Sequence, residues 1–424
     1  MGDGASMIPL DDAIAHVLAG CRPLPSQRAP VADVRGCVLA ADVVATEPVP
    51  SFANTAMDGY AVRAADVAAA PVTLPVVAEV AAGHPAPRPL AAGEAMRIFT
   101  GAPMPEGADA VVMVERTERR DEGKAVEIQV AVDQGNHVRA AGEDLHAGQR
   151  VFGEGDQLTA ARLGVLASLG IAEVDVHPRP RVGVMSTGDE LVTGPEALLP
   201  GQIRDSNRPA LLASVARSGF EAVDLGRVPD DEAAIADGLE RGASTCDAVL
   251  TSGGVSMGDI DLVRVVLDRM AEMRWMQVAI RPAKPLAFGV VRHDGRSGGR
   301  RAVPVFGLPG NPVSSLVSFE LFARPGLRRL AGHPHPQLHR PRFTATADEA
   351  LPRHPDGKVH FVRVVAAADR GVLHVRSAGG QGSHQLGAMA RANALVVLPD
   401  GDGVRLGDRV EVMLLEDPPT QEWT

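Results

Sequence analysis

The sequence predicts a multi-domain α/β protein in which a central α/β domain with a mostly parallel sheet is joined to two mainly β domains. The chain has 424 residues with 45% apolar content, enough to fill roughly three domain cores. From Arg181 onward, short apolar runs alternate with helical patterns, which is typical of a parallel sheet covered by helices. The stretches before and after this part consist of short β-like runs separated by glycine and proline turns.

Two helix-like runs flank the first β-rich stretch, at 6–20 and at 158–170. The second ends on a glycine, a common helix stop. The predicted regions are 1–46 and 147–180, which carry these helices, then 47–146, 181–330 and 331–424. The N-terminal helix is a candidate to pack on the α/β domain.

Composition excludes several classes of function. The net charge of −11 and an aromatic content of 3% disfavour nucleic-acid binding, because phosphate backbones are repelled and few rings can stack on bases. The three cysteines, Cys21, Cys37 and Cys246, have no C-x-x-C spacing, so we expect buried free thiols and a cytoplasmic protein. No apolar stretch approaches the length of a membrane span.

The stretch "GLPGNPVSS" (307–315) predicts a strand, a tight turn and a helix. Asn311 suits the N-cap, where its side chain would accept a backbone hydrogen bond, and Pro312 suits the first helical position. The next amides, of residues 313–315, are then expected to lack partners and to favour an anion. An ordinary well-capped helix is the alternative, and this stretch alone does not decide between them.

Two further turns, "MSTGDEL" (185–191) and "TSGGVSMGDID" (251–261), are expected at the same sheet edge, where α/β proteins bind ligands. The glycines and Ser256 of the second turn suit phosphate, although a plain strand-to-helix turn fits equally well. Asp189, Glu190, Asp259 and Asp261 would repel phosphate unless a cation lay between them, which predicts Mg²⁺. The sequence has neither a Walker A motif nor a G-x-G-x-x-G fingerprint.

Two other stretches carry polar groups in defined turns. In "RPAKPLAFG" (281–289) prolines restrict the backbone around Arg281 and Lys284 and would hold two cations near an anion. "SFANTAMDGYAV" (51–62) is either a functional turn or a capped hairpin.

In order along the chain, the sequence carries the motifs "NTAMDGYAV", "IFTGAPMPEGADAVVMVE", "GED", "STGDEL", "GQIRDSN", "TSGGVSMGDID", "RPAKP", "GLPGNPVSS" and "GQGSH". Together they resemble the molybdopterin molybdotransferase family, the MoeA proteins and the gephyrin E domain. The resemblance implies an enzyme that binds adenylyl-molybdopterin and molybdate, uses Mg²⁺, releases AMP and leaves molybdenum on the pterin. It also implies an elongated connecting domain built from 1–46 and 147–180.

The resemblance also implies roles for individual residues. The implied catalytic residues are Asp58, Thr100, Asp144, Glu190, Asp230 and Asp261, of which Glu190 and Asp261 would hold the metal. The implied pterin-nucleotide residues are Gly188, Asp189, Ser252, Gly253, Gly254, Val255, Ser256, Gly310, Asn311 and Pro312. The implied molybdate residues are Arg281, Lys284, Pro285, Ser314, Arg363 and Ser383. Where the family favours Lys, Gly and a basic residue, this chain has Arg281, Ala283 and Gln277.

The resemblance further implies an L-shaped homodimer in which the α/β domain of one subunit meets the "NTAMDGY" domain of the other. A molybdopterin adenylyltransferase and acceptor molybdoenzymes or their chaperones are the expected partners. Two alternatives remain open at this point. One is a standalone pterin adenylyltransferase, which the flanking β domains disfavour, and the other is a non-enzymatic scaffold, which would need an added partner-binding region.

Overall fold

The computed structural model describes residues 7–254, 262–294 and 300–419. The chain divides into two compact units. One contains the residues up to Gln27, Gly36–Ala40 and everything from Val176, and the other contains Arg28–Arg35 and Ala41–Asp175. The helices of the described residues are α1 (Leu10–Gly20), α2 (Ala160–Ser168), α3 (Asn207–Arg217), α4 (Glu232–Thr245), α5 (Leu262–Met270), α6 (Pro312–Ser318), α7 (Arg324–Leu330) and α8 (Leu386–Arg391).

The strands up to residue 177 are short. They are β1 (Gln27–Pro30), β2 (Val38–Leu39), β3 (Val43–Val44), β4 (Asn54–Thr55), β5 (Gly59–Val62), β6 (Val72–Val80), β7 (Ala95–Ile98), β8 (Ala110–Met113), β9 (Thr117–Arg120), β10 (Ala125–Ile128), β11 (Val138–Arg139), β12 (Arg150–Phe152) and β13 (Glu173–His177). Six of them form a sheet in the order β8-β5-β7-β6-β10-β9, so the predicted β-rich stretch is confirmed.

Both faces of this sheet are covered. The neighbours Tyr60 and Ala61 on β5 belong to different apolar clusters, as the two-residue period of a strand requires. At the start of β5, a Cβ on Gly59 would lie 2.1 Å from the Val112 carbonyl oxygen. Only glycine therefore lets β5 approach β8 this closely.

The strands after residue 177 build two further six-stranded sheets and two separate two-stranded sheets. They are β14 (Arg181–Thr187), β15 (Leu191–Val192), β16 (Ile203–Arg204), β17 (Glu221–Val228), β18 (Ala248–Ser252), β19 (Arg274–Gln277), β20 (Ile280–Arg281), β21 (Pro285–Asp294), β22 (Arg300–Leu308), β23 (Arg342–Ala347), β24 (Leu351–Pro352), β25 (Val359–Asp369), β26 (Val372–Ser377), β27 (Ala394–Leu398), β28 (Gly403–Val404) and β29 (Arg409–Leu414).

The central sheet has the order β17-β14-β18-β22-β21-β19. Its first four strands are parallel and the last two antiparallel, so the predicted mostly parallel sheet is confirmed. Val184 and Leu250 belong to the apolar cluster on one face, and Met185 and Val249 to the cluster on the other. Burial on both faces explains why these strands are continuous apolar runs.

The C-terminal strands β25, β26, β23, β29 and β27 pair in a ring, because β25 also pairs with β27. Phe361 and Leu395 of this barrel share an apolar cluster with Phe306 of the central sheet and with Val17 of α1. The barrel, the central sheet and α1 are thus packed together within one unit. The sequence pattern did not indicate the antiparallel strand β19 or the short helix α8.

The N-terminal helix begins later than its predicted bounds. It starts at Leu10 with Pro9 in the cap position, while residue 6, where the predicted run begins, lies outside the described residues. The three cysteines are free and buried, as predicted. None of the helices in the described ranges is long and apolar enough to cross a membrane.

Candidate active site

Three turns lie side by side at the carboxyl edge of the central sheet. Ser186 on β14 is paired with Ser252 on β18, and Ser252 is paired with Leu308 on β22. The turns that follow these strands are "TGDEL", "GG" and "PGNP", so the predicted gathering of the three motifs at one edge is confirmed. Parallel α/β sheets bind ligands at this edge.

Two glycines shape the turn after β18. Gly253 and Gly254 have φ angles of +99° and +68°, which side chains rarely adopt. A Cβ on Gly254 would lie 2.3 Å from the Val263 side chain, and one on Gly310 would lie 3.8 Å from the Gly253 Cα. The turns that contain Gly253 and Gly310 therefore lie close to each other. The rest of this motif, with Val255, Ser256, Asp259 and Asp261, lies outside the described residues.

The "RDSN" segment before α3 contributes residues that sequence reasoning did not assign. Asp205 Oδ2 accepts hydrogen bonds from Ser186 Oγ at 2.6 Å and from Arg208 Nε at 2.9 Å. Asn207 Nδ2 donates to Ser252 Oγ and to the Gly310 carbonyl oxygen, each at 2.7 Å. The local signals were a polar run before a helix, which indicates a cap equally well, and the position of these residues in the "GQIRDSN" motif.

The carboxylates of the first turn have different surroundings. Asp189 Oδ1 accepts a hydrogen bond from the backbone N–H of Asp230 at 3.2 Å, and the Gly188 carbonyl accepts one from Arg227 Nη1 at 3.3 Å. Glu190 is exposed, and within the described ranges its carboxylate has no hydrogen bond or ion pair. A free carboxylate beside a phosphate-type turn fits Mg²⁺, which binds through one or two carboxylates together with substrate phosphate. Within the described ranges, no three His, Cys, Asp or Glu residues come together as a metal cluster.

The helix start at Pro312 differs from its prediction in two respects. Asn311 occupies the N-cap and Pro312 the first position as expected, but the Asn311 side chain makes no capping hydrogen bond. Two of the three amides expected to lack partners have them: Val313 N donates to the Ser383 carbonyl at 3.0 Å, and Ser315 N to the Asn311 carbonyl at 2.9 Å. The expectation of three unpaired amides is therefore wrong. The amide of Val313 is one of these two, and its partner lies in the sequence-distant loop at 379–383.

That loop also surrounds Arg363, which is only 1% exposed. Arg363 Nη2 donates to the carbonyls of Gly380 and Gly382 at 3.0 and 3.2 Å, and its Nε is buried with no partner in the described structure. Burial, and secondarily the charge of Arg281, lower the pKa of Arg363 to about 10, so it remains charged at neutral pH. A buried cation beside a second cation favours an anion between them.

The structure thus brings Arg281, Arg363 and Ser383 together with the start of α6, where Ser314 is buried. A cavity of about 630 Å³ opens beside Arg281, Arg363 and Gln381. Its size is typical of small-molecule sites.

Lys284 belongs to the same "RPAKP" stretch of the chain as Arg281. It is exposed, and Pro285 after it begins β21. Within the described ranges its ammonium makes no hydrogen bond or ion pair. Ala283 before it has a φ of +77°, which explains why glycine is favoured at this position.

In the β-rich unit, Asp58 and Thr100 form a hydrogen-bonded pair. Asp58 Oδ1 accepts hydrogen bonds from the Thr100 backbone N–H and hydroxyl, both at 2.7 Å. The hydrogen bond from the Thr100 side chain and then that from the Thr100 backbone lower the pKa of Asp58; partial desolvation opposes them, and the charge of Arg97 adds the smallest lowering effect. Arg97 donates to the Gly59 carbonyl at 2.9 Å and lies 5.1 Å from the Tyr60 ring centre. The carboxylate of the "NTAMDGY" turn is therefore held in place by hydrogen bonds from Thr100.

Asp144 is exposed and lies on a neighbouring turn. Its backbone N–H donates to the Val49 carbonyl at 3.0 Å, and the N–H of Gly142 donates to the Pro50 carbonyl at 2.9 Å. These bonds hold the "GED" turn against the segment that leads into "NTAMDGY".

Comparisons with known proteins match family models to three consecutive parts of the chain. These are "MoeA N-terminal region (domain I and II)" at 8–170, "Probable molybdopterin binding domain" at 183–329 and "MoeA C-terminal region (domain IV)" at 344–415. This chain belongs to the MoeA family. Because the match includes both regions that flank the molybdopterin-binding domain, a standalone adenylyltransferase is disfavoured.

Full-length relatives support the same family. A relative from Haemophilus influenzae, named molybdopterin molybdenumtransferase, is 37% identical over an alignment that covers 96% of this chain and 98% of the relative. Molybdopterin molybdenumtransferase 2 from Mycobacterium tuberculosis is 40% identical over 91% of this chain and 93% of its own. The crystal structure of a molybdopterin biosynthesis moeA protein from Pyrococcus horikoshii has a TM-score of 0.78 at 28% identity, covering 96% of this chain and 100% of that one.

Proposed function

We propose that this MoeA protein is a molybdopterin molybdenumtransferase that inserts molybdenum from molybdate into adenylyl-molybdopterin with release of AMP. Full-length relatives that carry this enzyme name support the activity. The observation that carries the oxyanion part of the proposal is the buried Arg363, held beside Arg281 and the loop that reaches the start of α6. These cations provide local positive potential in a protein of net charge −11.

Within this proposal, the turns at the carboxyl edge of the central sheet bind the nucleotide end of the substrate. Ser252, Gly253 and Gly254 approach the phosphate, with Gly310 beside them. Glu190 and Asp261 would hold Mg²⁺, which when bound would offset the phosphate charge and favour departure of AMP. Asp58, Thr100, Asp144 and Asp230 would supply the remaining polar contacts in the cleft.

The proposed oligomer is a homodimer in which Asp58 of one subunit serves the α/β domain of the other. A molybdopterin adenylyltransferase would supply the substrate, and molybdoenzymes or their chaperones would take the product. Three free, buried thiols are compatible with a reducing cytoplasm.

The test is AMP release from purified adenylyl-molybdopterin, with and without molybdate and Mg²⁺. We expect release to require both, and the pterin product to carry molybdenum. Hydrolysis that is independent of molybdate, or no turnover of adenylyl-molybdopterin by folded protein, would contradict the proposal.

A further inference from the structure

Asn207, the first residue of α3, links two of the three turns at the sheet edge. The last backbone hydrogen bond between them runs from Gly253 N to the Leu308 carbonyl at 3.2 Å. Beyond it the Asn207 side chain joins the two segments, through Ser252 Oγ on one side and the Gly310 carbonyl on the other. Glycine-rich turns have high conformational freedom, so a cross-link at this point restricts their relative position.

The chemistry of these partners fixes the orientation of the amide. A backbone carbonyl can only accept, so the Asn207 atom that faces Gly310 must be the nitrogen. The same nitrogen lies 2.7 Å from Ser252 Oγ and therefore donates to it. The Ser252 hydroxyl proton is then free to point elsewhere, and no acceptor for it is found among the described residues.

The segment that leads into Asn207 is held by the end of β14. Two residues earlier, Asp205 is bound by Ser186 Oγ, and its Oδ1 accepts a hydrogen bond from the Arg208 backbone N–H at 3.2 Å. One short segment thus fixes all three turns relative to each other. Ser252 is 3% exposed at the end of β18, next to the turn proposed for phosphate.

We propose that Asn207 is a positioning residue that makes Ser252 a hydrogen-bond donor to a phosphate oxygen and holds the "PGN" turn beside it. The inference rests on the proposed function, because it takes the nucleotide phosphate as the ligand of this edge. Asn207 acts through Ser252 and the Gly310 backbone and does not itself contact the phosphate.

The test uses Asn207→Asp, which keeps the shape of the side chain. Its ionised carboxylate accepts from Ser252 instead of donating and repels the Gly310 carbonyl. We expect at least a tenfold weaker AMP affinity and a raised KM for adenylyl-molybdopterin, with the molybdate concentration for half-maximal rate unchanged. AMP affinity of this variant partly recovers as the pH is lowered, because the protonated carboxyl group has one O–H and can again donate to one of the two partners.

Two variants and a control separate positioning from general damage. Ser252→Ala weakens AMP binding. Adding Asn207→Asp to the Ser252→Ala variant lowers the AMP affinity by a smaller factor than Asn207→Asp does in the wild type, since the effects of residues that act through one contact are not additive. Asn207→Ala, which introduces no charge, replaces Asn207→Asp if that variant does not fold. Ser214→Ala is the control, because Ser214 lies on the same helix and its hydroxyl donates to the Ala210 carbonyl, at 2.8 Å.

The outcomes are distinguishable. An active wild type whose AMP affinity and KM are unchanged by Asn207→Asp and Asn207→Ala overturns the inference and leaves the proposed function intact. Full additivity of Asn207→Asp with Ser252→Ala also overturns it. A wild type that binds no AMP and releases none from adenylyl-molybdopterin overturns both.

Discussion

Asp58 is the carboxylate whose surroundings are best defined at the residue scale. Both hydrogen bonds from Thr100 converge on Oδ1, while Oδ2 has no partner in the described structure. One oxygen therefore holds the side chain in place, and the other accepts no hydrogen bond from the described residues. The lowered pKa of Asp58 keeps the group ionised to lower pH than an ordinary carboxyl group, which titrates near pH 4.

Replacing the Thr100 hydroxyl tests this arrangement. Thr100→Val removes the largest cause of the lowered pKa, so Asp58 becomes protonated at a higher pH. We expect the acid limb of the kcat/KM profile for AMP release to move to higher pH, measured from about pH 3.5 to 7. Thr100→Ser keeps the hydroxyl and should resemble the wild type. Superimposable profiles for all three proteins would show that this bond does not control Asp58.

Lys284 gives a second prediction at this scale, because molybdate is a dianion and needs local cations. A hydrogen bond to a charged group contributes roughly 1.5–3 kcal/mol, so Lys284→Ala should raise the molybdate requirement by about one to two orders of magnitude. Ser314→Ala should have a smaller effect, since a neutral hydroxyl contributes less than a charge.

Titration of molybdate in the AMP-release assay measures these effects. Lys124→Ala is the matched control, because it makes the same charge change in the other compact unit. Saturating molybdate should rescue the Lys284 variant. An unchanged molybdate dependence would place the oxyanion elsewhere.

At the scale of the element, the turn after β18 depends on glycine for two separate reasons. Gly254 combines a left-handed backbone with a neighbour, Val263, that a Cβ would strike. Gly219, after α3, has a φ of +88°, but a Cβ there would meet no atom within 4 Å beyond its chain neighbours. A side chain at Gly219 would therefore cause backbone strain alone, whereas one at Gly254 would cause backbone strain and a steric conflict.

Alanine substitutions at the two glycines should therefore lower the free energy of unfolding by different amounts. Gly219→Ala should lower the free energy of unfolding by about 1–2 kcal/mol, the cost of a left-handed non-glycine residue. Gly254→Ala should lower the free energy of unfolding by that amount plus roughly 1–3 kcal/mol, because the added methyl group overpacks against Val263. It should also weaken AMP binding, whereas Gly219→Ala should not. Denaturant unfolding measures the first comparison, and equal losses in the two variants would contradict the steric argument.

The sequence motif "TSGGVSMGDID" also contains the proposed metal ligand Asp261, which lies outside the described residues. Asp261→Asn removes a negative oxygen ligand with little change of size, so the variant should bind adenylyl-molybdopterin and fail to cleave it. Substrate binding and Mg²⁺-dependent AMP release measure the two steps. Normal release at ordinary Mg²⁺ concentrations would remove Asp261 from the metal site.

At the scale of the whole molecule, the proposed homodimer places residues of two subunits in one cleft. Homodimers of Asp58→Ala and of Asp261→Ala should both be inactive. A mixed dimer retains one intact site if each cleft takes Asp58 from one subunit and Asp261 from the other. Differently tagged variants, dissociated and re-associated, should recover up to about half of the wild-type activity per dimer. No recovery in verified heterodimers would contradict a shared site.

Much of the fold followed from local patterns. The strands around "VGVM" and "AVLT", helix α2 and the turn at Gly253 and Gly254 could be predicted because side-chain period, apolar runs and glycine content act over a few residues. The position of Pro312 at the first turn of α6 is of the same kind. These features depend on allowed backbone angles and on which residues must be buried.

Other features were decided only by tertiary structure. Asn207 bonds to residues 45 and 103 positions away, and the amide expected to be free at Val313 is taken by the loop at Ser383. The partnerless Nε of Arg363 likewise depends on how the barrel packs near Arg281. A sequence pattern specifies which donors a segment carries, but their partners are set by which distant segments the shared core brings into contact. The sequence therefore determined the sheet and its turns, whereas packing decided which of their polar groups remain available to a ligand.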